Sequence, residues 1–243
     1  MSEIVSQTME LTNKPYGCTV LIDLKGIRAE LPEGLTSVRI KRKTDKDAVW
    51  KTIYTHSVAT VDDLTVTLED RNTVAGKTYI YAAIPVFSNV EGIGVTGEIK
   101  TRFKGWYVAD STAEYELGLN VTFSKRKNTS LAYIQTLGSK YPYAISNGNL
   151  NYYTGNFSAL FLPKNETGEF TREGAYEFKQ AALEFLSNGK TKILKSYEGE
   201  AMKIRVDDAV ELEQSEYEDA ASIRFSFTEV GAFPEEGLVK KND

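Results

Sequence analysis

The feature that most constrains this chain is a succession of short strand-like segments between Cys18 and Phe103. Segments such as residues 37–42 and 64–68 alternate apolar and polar side chains, which is the period of a strand with one buried face. Turn-forming residues separate these segments at spacings of about 8–12 residues, and no helical period interrupts them. The pattern predicts an antiparallel β-sandwich in the first half of the chain.

The second half of the chain is also rich in strand signals, but it contains one helical segment. Residues 172–188 place apolar side chains on one face at helical spacing, as expected of a helix packed on a core. Thr171 is positioned to cap its start, and Gly189 is positioned to end it. We expect the polar tail from Pro234 onward to be loose.

Two hairpins are predicted around the helix. The turn formers Asn147, Gly148 and Asn149 predict a hairpin between residues 143–146 and 150–153. A second hairpin joins residues 192–195 to residues 202–206 across a polar turn. We therefore expect a mainly β chain with two domains, a β-sandwich over residues 1–102 and a β-barrel or sandwich with one helix over residues 103–243.

Composition limits the chemistry of the chain. One His and one Cys in 243 residues exclude a disulfide within the chain and a zinc site built from Cys and His. We expect His56 to be an exposed turn residue and Cys18 to be a half-buried residue at a strand start, because neither has the neighbours of a catalytic nucleophile. The sequence predicts no enzyme, no cofactor and no metal site.

Charge and hydropathy argue against two classes of partner. The formal net charge of −5 is unsuited to nucleic acid, because phosphate binding needs a basic surface. No apolar run approaches the roughly 20 residues that span a bilayer. The first residues also lack the basic and apolar regions of a secretion signal, so we expect no membrane insertion and no secretion by a signal peptide.

Acidic pairs leave one enzymatic alternative open. Glycan hydrolases use two carboxylates, and Asp62-Asp63, Asp207-Asp208 and the acidic residues of segment 213–219 supply candidates. None of them has the spaced acidic loop of a dedicated calcium site. We expect these carboxylates to lie in solvated turns, as charge runs usually do.

Tyrosines are the more informative residues. Several of them crowd around the predicted turn of the first hairpin together with asparagines. Tyr offers a large and fairly rigid contact area with a polar tip, and it also favours strands for conformational reasons alone. The predicted contact surface consists of Tyr141, Tyr143, Asn147, Asn151, Tyr152 and Tyr153.

Leu68, the turn from Asp70 to Gly76, and the segment Thr78-Tyr79-Ile80-Tyr81 resemble the corner of a fibronectin type III domain. In that family a tyrosine at this corner forms a hydrogen bond with the upstream backbone, and Tyr79 occupies the matching position. The resemblance covers roughly the first 100 residues, and it implies a spacer or adhesion module rather than an active site.

Five features of the second half resemble tail and baseplate proteins of bacteriophages and of prophages in Gram-positive bacteria, and among these the distal tail and tail-hub components. They are residues 137–143, a turn from Asn147 to Tyr152, the helix end at residues 186–190, the hairpin 193–206 and the final segment 225–230. The resemblance implies a β-barrel with a helix that forms rings.

From that resemblance we expect a structural component of a phage tail tip or baseplate. It would assemble as a symmetric ring or hub of three or six copies and join neighbouring tail proteins, including a receptor-binding protein. It would be made in the bacterial cytoplasm and reside in the virion. The first alternative, from the sandwich and the tyrosines, is a host-surface or carbohydrate-binding module. The second is a glycan hydrolase that depends on paired carboxylates.

Overall fold

The structure is a computed structural model that describes residues 8–25, 30–110, 112–117, 119–214, 221–233 and 239–241. Within this part the chain is mainly β, with antiparallel sheets and one α-helix, which confirms the predicted fold class. The strands and the helix are β1 (Thr8–Lys14), β2 (Gly17–Asp23), β3 (Leu35–Thr44), β4 (Lys51–Ser57), β5 (Thr65–Asp70), β6 (Thr78–Phe87), β7 (Val90–Glu91), β8 (Val95–Lys100), β9 (Trp106–Ala109), β10 (Glu114–Leu117), β11 (Leu119–Ile134), β12 (Tyr143–Leu160), α1 (Ala175–Ser187), β13 (Lys192–Lys195), β14 (Ala201–Gln214), β15 (Ala221–Gly231) and β16 (Val239–Lys241).

The chain divides into two compact units. The first comprises the described residues within 1–105, 195–201 and 234–243, and the second those within 106–194 and 202–233. A single boundary near residue 102 therefore does not describe the whole division, because segment 195–201 returns to the first unit. Buried Lys195 holds it there, since its ammonium donates hydrogen bonds to the carbonyl oxygens of Tyr16 and Arg71. Hydrogen bonds between residues so far apart in the sequence produce no local sequence pattern from which they could be predicted.

The first unit contains two antiparallel sheets. One has the order β1-β2-β5-β16, and the other has the order β4-β3-β6, with β7 and β8 both paired to β6. Alternate side chains of these strands, such as Val20 and Ile22 in β2 and Ile40 in β3, are fully buried in one core. The Val74 backbone N–H donates to the Tyr79 hydroxyl at 3.0 Å, which confirms the predicted tyrosine corner.

The C-terminal segment was expected to be loose, and this is wrong for β16. Residues 239–241 pair antiparallel with residues 68–70 of β5 and extend the first sheet. The strand has three residues, too few for a period to emerge from the sequence. An unpaired edge on β5 explains the pairing, because edges of sheets recruit any chain that satisfies their backbone groups.

The second unit contains one seven-stranded sheet and the helix. The strand order is β10-β9-β13-β14-β15-β12-β11. One side of α1 buries Ala182, Phe185 and Leu186 in the same core as Leu194 and Phe225 of the sheet. The predicted apolar face of the helix and the predicted hairpin between β13 and β14 are both confirmed.

The helix begins later than predicted. It runs from Ala175 to Ser187, and Gly174 at its start has a φ of 71° and provides no side-chain cap. The Thr171 hydroxyl instead accepts a hydrogen bond from the Glu173 backbone N–H in the preceding turn. Gly189 has a φ of 70° just past the end of the helix, so the predicted glycine stop is confirmed.

The predicted turn at residues 147–149 is wrong. β12 continues from Tyr143 to Leu160, and its hairpin partner is β11 rather than a strand that begins at residue 150. The turn lies earlier, in segment 135–142, where Gly138 has a φ of 97°. Residues 147–151 instead form an irregularity in the pairing with β11. Asparagine and glycine suit both turns and strand irregularities, so the local signal could not separate them.

Candidate functional site: an apolar two-stranded arm

The outer part of the β11–β12 hairpin extends beyond the sheet as a two-stranded ribbon. β15 pairs with β12 only from Leu160 to Thr154. At the next residue the Tyr153 backbone N–H donates to the Glu229 carboxylate at 2.9 Å, so a side chain takes the place of the third strand. We call residues 127–153 the arm. Its eight β11 residues, 127–134, correspond to a length of roughly 26 Å at 3.3 Å per residue.

Both faces of the arm carry exposed apolar side chains. Opposite residues of an antiparallel pair share a face, so Ile134 and Tyr143 lie on one side. Tyr133, which is 66% exposed, lies on the other side. The large apolar side chains exposed along the arm are Leu131, Tyr133, Ile134, Leu137, Tyr141, Tyr143 and Ile145. An isolated two-stranded ribbon is marginally stable, and exposed apolar patches are typical of interaction sites, so the arm is a candidate contact surface.

The base of the arm is fixed in the core of the second unit. A Cβ atom on Gly155 would lie 2.0 Å from the Ser124 carbonyl oxygen and 2.7 Å from the Phe227 ring. Only glycine fits there, and the Phe227 ring stacks on Phe123 of β11 with centroids 5.9 Å apart. The two strands of the arm therefore begin at a tightly packed base with a well-defined position.

The structure separates the predicted contact residues into two groups. Tyr141 and Tyr143 are exposed in the distal half of the arm, whereas Tyr152 and Tyr153 are half-buried at its base. The Tyr153 ring packs against the core and lies 5.0 Å from the Lys125 ammonium. Asn151 is exposed near the base, and the Asn147 side chain lies outside the described residues. Five of the six residues lie along β12, and Tyr141 lies in the turn that precedes it.

Sequence analysis missed the β11 side of the arm. Leu131, Tyr133 and Ile134 lie directly across from residues 143–146. A usable signal was present, because residues 128–139 contain no charged side chain. A long uncharged segment between two strand patterns indicates a surface that another molecule covers.

Cys18 belongs to a buried polar network rather than to a reactive site. Its sulfur lies 2.8 Å from the Tyr81 hydroxyl, which in turn donates to the Asp70 carboxylate at 2.7 Å. The Arg42 guanidinium donates to the same carboxylate oxygen. Burial raises the pKa of the Cys18 thiol to about 12, and the nearby Asp70 charge acts in the same direction. The thiol is therefore protonated at neutral pH and is a poor nucleophile.

This environment predicts that native Cys18 is unreactive. At pH 8 the folded chain is expected to react with a thiol reagent such as dithionitrobenzoate at least about 100-fold more slowly than the chain unfolded in urea, whose thiol has a pKa near 8.5. The absorbance of the released thiolate measures both rates. Equal rates in the two states would contradict the buried assignment.

The other residues of chemical interest have structural roles. His56 lies in β4 and is buried, so the expected exposed turn position is wrong; its ring stacks on Tyr54 with centroids 6.4 Å apart. The Asp63 carboxylate accepts hydrogen bonds from the backbone N–H groups of Ala59 and Thr60, which lower its pKa. Asp62 is paired with Lys25 at 2.5 Å. None of these groups forms a nucleophile–base pair.

The second acidic region lies on β14. The Asp207 carboxylate accepts a hydrogen bond from the Thr228 hydroxyl at 2.9 Å. With Glu211 and Arg224 it lines a shallow surface groove of about 400 Å³. The side chains of Asp208 and of residues 216–219 lie outside the described residues. Within the described part of the chain, no group of three or more His, Cys, Asp or Glu side chains is arranged to hold a metal ion, and none of the described helices combines the length and apolarity needed to cross a bilayer.

Comparison with known proteins gives little beyond these observations. No protein-family model and no curated protein matches the chain. Among solved structures, a chain from the virion of a native gene transfer agent particle is similar, with 12% identity over 58% of this chain and 96% of that chain and a TM-score of 0.31. A TM-score this low carries no argument about fold or function.

Proposed function

We propose that this chain is a structural component of a phage or phage-derived particle, and that it assembles through the arm into a ring or hub of the tail tip or baseplate. The observation that carries the proposal is the two-stranded arm with exposed apolar side chains on both faces. In a monomer, a surface of this kind exposes apolar area to solvent. The protein is stabilised when a neighbour covers that area.

The placement of the arm supports assembly rather than catalysis. Its base is fixed in a packed core at Gly155 and Phe227, and residues 127–153 contain no Asp, Glu, His or Cys. A rigid base and an apolar tip are properties of an element that binds a partner through its shape rather than catalyses a reaction. The sequence resemblance of the second half of the chain to tail proteins supports the same class, and the proposal puts the assembled protein in the virion.

The test is the oligomeric state of an arm variant. Tyr133→Ser, Ile134→Ser and Tyr143→Ser together remove apolar area from both faces of the arm without touching the core. We expect the wild-type chain to form a closed oligomer of three or six copies in multi-angle light scattering. The triple variant is expected to stay monomeric with an unchanged far-ultraviolet circular dichroism spectrum, because these side chains are exposed in the single chain.

A matched control removes exposed apolar side chains elsewhere. Val90→Ser with Ile93→Ser changes two strongly exposed residues of the first unit, and this variant is expected to assemble like the wild type. A wild-type chain that stays monomeric at high concentration, also in the presence of neighbouring tail proteins, would overturn the proposal. In an assembled particle, negative-stain electron microscopy is expected to show a ring. We propose that the first unit then holds a neighbour such as a receptor-binding protein.

One observation favours the alternative of carbohydrate binding. The groove beside Asp207, Glu211 and Arg224 presents both acceptors and donors for hydroxyl groups. If it binds host glycans, the monomeric arm variant will still bind a cell-wall glycan array, and Asp207→Ala will abolish that binding. Loss of all glycan binding in an intact monomer would exclude this alternative.

A further inference from the structure

We propose that the arm of one copy docks against the acidic free edge of β14 in the next copy, so that the assembly is head-to-tail. This inference rests on the proposed function and adds the partner and the surface that receives the arm. We call residues 207–213 of β14 the acidic edge.

The acidic edge lacks a neighbouring strand on one side. β13 has four residues, and it meets β14 at the tight turn in which the Ser196 N–H donates to the Glu200 carbonyl. It therefore covers only the first part of the fourteen-residue β14. On the opposite side β15 pairs with residues 203–206 and 210–214, with an irregularity between them, and no other described strand pairs with β14. Unpaired backbone groups at such an edge can receive a strand from another molecule.

The arm has the complementary chemistry. It also has free backbone edges, because β12 loses its third strand at Thr154. On the acidic edge Leu212 is 43% exposed and can meet apolar side chains of the arm. Pairing of the two edges would satisfy backbone groups on both partners and cover apolar area in the same step.

Charge decides between the two possible partners for the arm. The segment 121–163 contains no Asp or Glu, but it contains Lys125, Arg126, Lys127 and Lys140. The segment 206–221, which includes the acidic edge, contains no Lys or Arg and seven acidic residues. Two arms packed on each other would bring like charges together, whereas an arm on the acidic edge brings opposite charges together.

A head-to-tail contact has a consequence for architecture. Because the arm and the acidic edge are different surfaces, every copy keeps one free arm and one free edge until the assembly closes. Such a contact generates rings when the rotation between copies closes. A contact between identical surfaces would instead stop at a dimer.

Charge reversal on each side tests the inference. The edge variant carries Glu211→Lys and Glu213→Lys, and the reversed-arm variant carries Lys127→Glu and Lys140→Glu; all four side chains are exposed. Each variant alone is expected to raise the dissociation constant of assembly at least about tenfold, since juxtaposed like charges at an interface are strongly unfavourable. Analytical ultracentrifugation measures this constant, and melting temperature checks that the fold is intact.

Restoration is the decisive result. A chain that carries all four reversals is expected to assemble again, because its reversed arm then meets the reversed edge of the next copy in a ring of any order. A control with Glu166→Lys and Lys190→Glu, both exposed outside the two surfaces, is expected to assemble like the wild type. Wild-type assembly by the edge variant, or no restoration in the fourfold variant, would overturn head-to-tail docking and leave the proposed function intact. A monomeric wild-type chain would overturn both.

Discussion

Replacement of Asp70 by Asn is expected to lower the free energy of unfolding of the first unit by about 3–5 kcal/mol, because it leaves a buried guanidinium without its counter-charge. The Asp70 side chain is fully buried, and its carboxylate lies 2.5 Å from Arg42. The same oxygen accepts the Tyr81 hydroxyl, and its partner oxygen accepts the Asn72 backbone N–H. An amide keeps the shape of the group but cannot neutralise Arg42.

The matched control for this variant is a surface ion pair. Glu91 accepts hydrogen bonds from Arg39 and Lys41, and it is partly exposed. Glu91→Gln is expected to leave the free energy of unfolding nearly unchanged, since solvent screens the charges and exposed pairs contribute little. Urea unfolding measures both variants, and hydrogen exchange followed by mass spectrometry assigns the effect to the first unit. Equal losses in the two variants would contradict the buried network.

Replacement of Asp110 by Ala is expected to destabilise the second unit by a similar amount, about 3–5 kcal/mol, for the same reason. The Lys192 ammonium is fully buried and donates to Asp110 at 3.0 Å and to the Asn188 side chain at 2.6 Å. Asp110 also accepts hydrogen bonds from the backbone N–H groups of Thr112 and Ala113. These contacts tie the end of α1 to β9 and β13.

The double replacement separates charge loss from packing loss. Asp110→Leu combined with Lys192→Met removes both charges, and it is expected to be more stable than either single change. The partly exposed pair between Lys164 and Glu116, 2.6 Å apart, provides the control, because Glu116→Gln should cost at most about 1 kcal/mol. A double variant as unstable as the sum of its singles would contradict the coupling between the two charges.

The stabilising effect of the pair between Asp110 and Lys192 is expected to depend on pH. Burial alone would raise the pKa of Asp110, but hydrogen bonds from Thr112, Lys192 and Asn188 outweigh it and hold that pKa well below its ordinary value. A lowered folded pKa contributes stability above the unfolded pKa of about 3.9, and this contribution is lost as the pH falls further. The free energy of unfolding of the wild type should therefore fall more steeply below about pH 4 than that of Asp110→Asn, as urea unfolding at several pH values can show.

The candidate site could be predicted only in part from the sequence. The tyrosine-rich segment singled out residues of the arm such as Tyr141 and Tyr143. It also included Tyr153, which packs on the core, because a strand that passes from a sheet into a free ribbon keeps the same local pattern. The side chains of β12 become more exposed beyond the point at which its pairing with β15 ends. That point is set by a side chain 76 residues away, Glu229.

The sequence by itself determined the mainly β fold class, most of the strand segments, the presence of one helix before Gly189 and the apolar face of that helix. These properties follow from periods of two and 3.6 residues, which are local and need no partner. The tertiary structure alone decided that β11 and β12 continue past the sheet as the arm, that Lys195 belongs to the first unit and that β16 completes the sheet beside β5. Pairing of backbone groups is equally favourable for many strand partners, so the choice among them depends on long-range packing that no local pattern records.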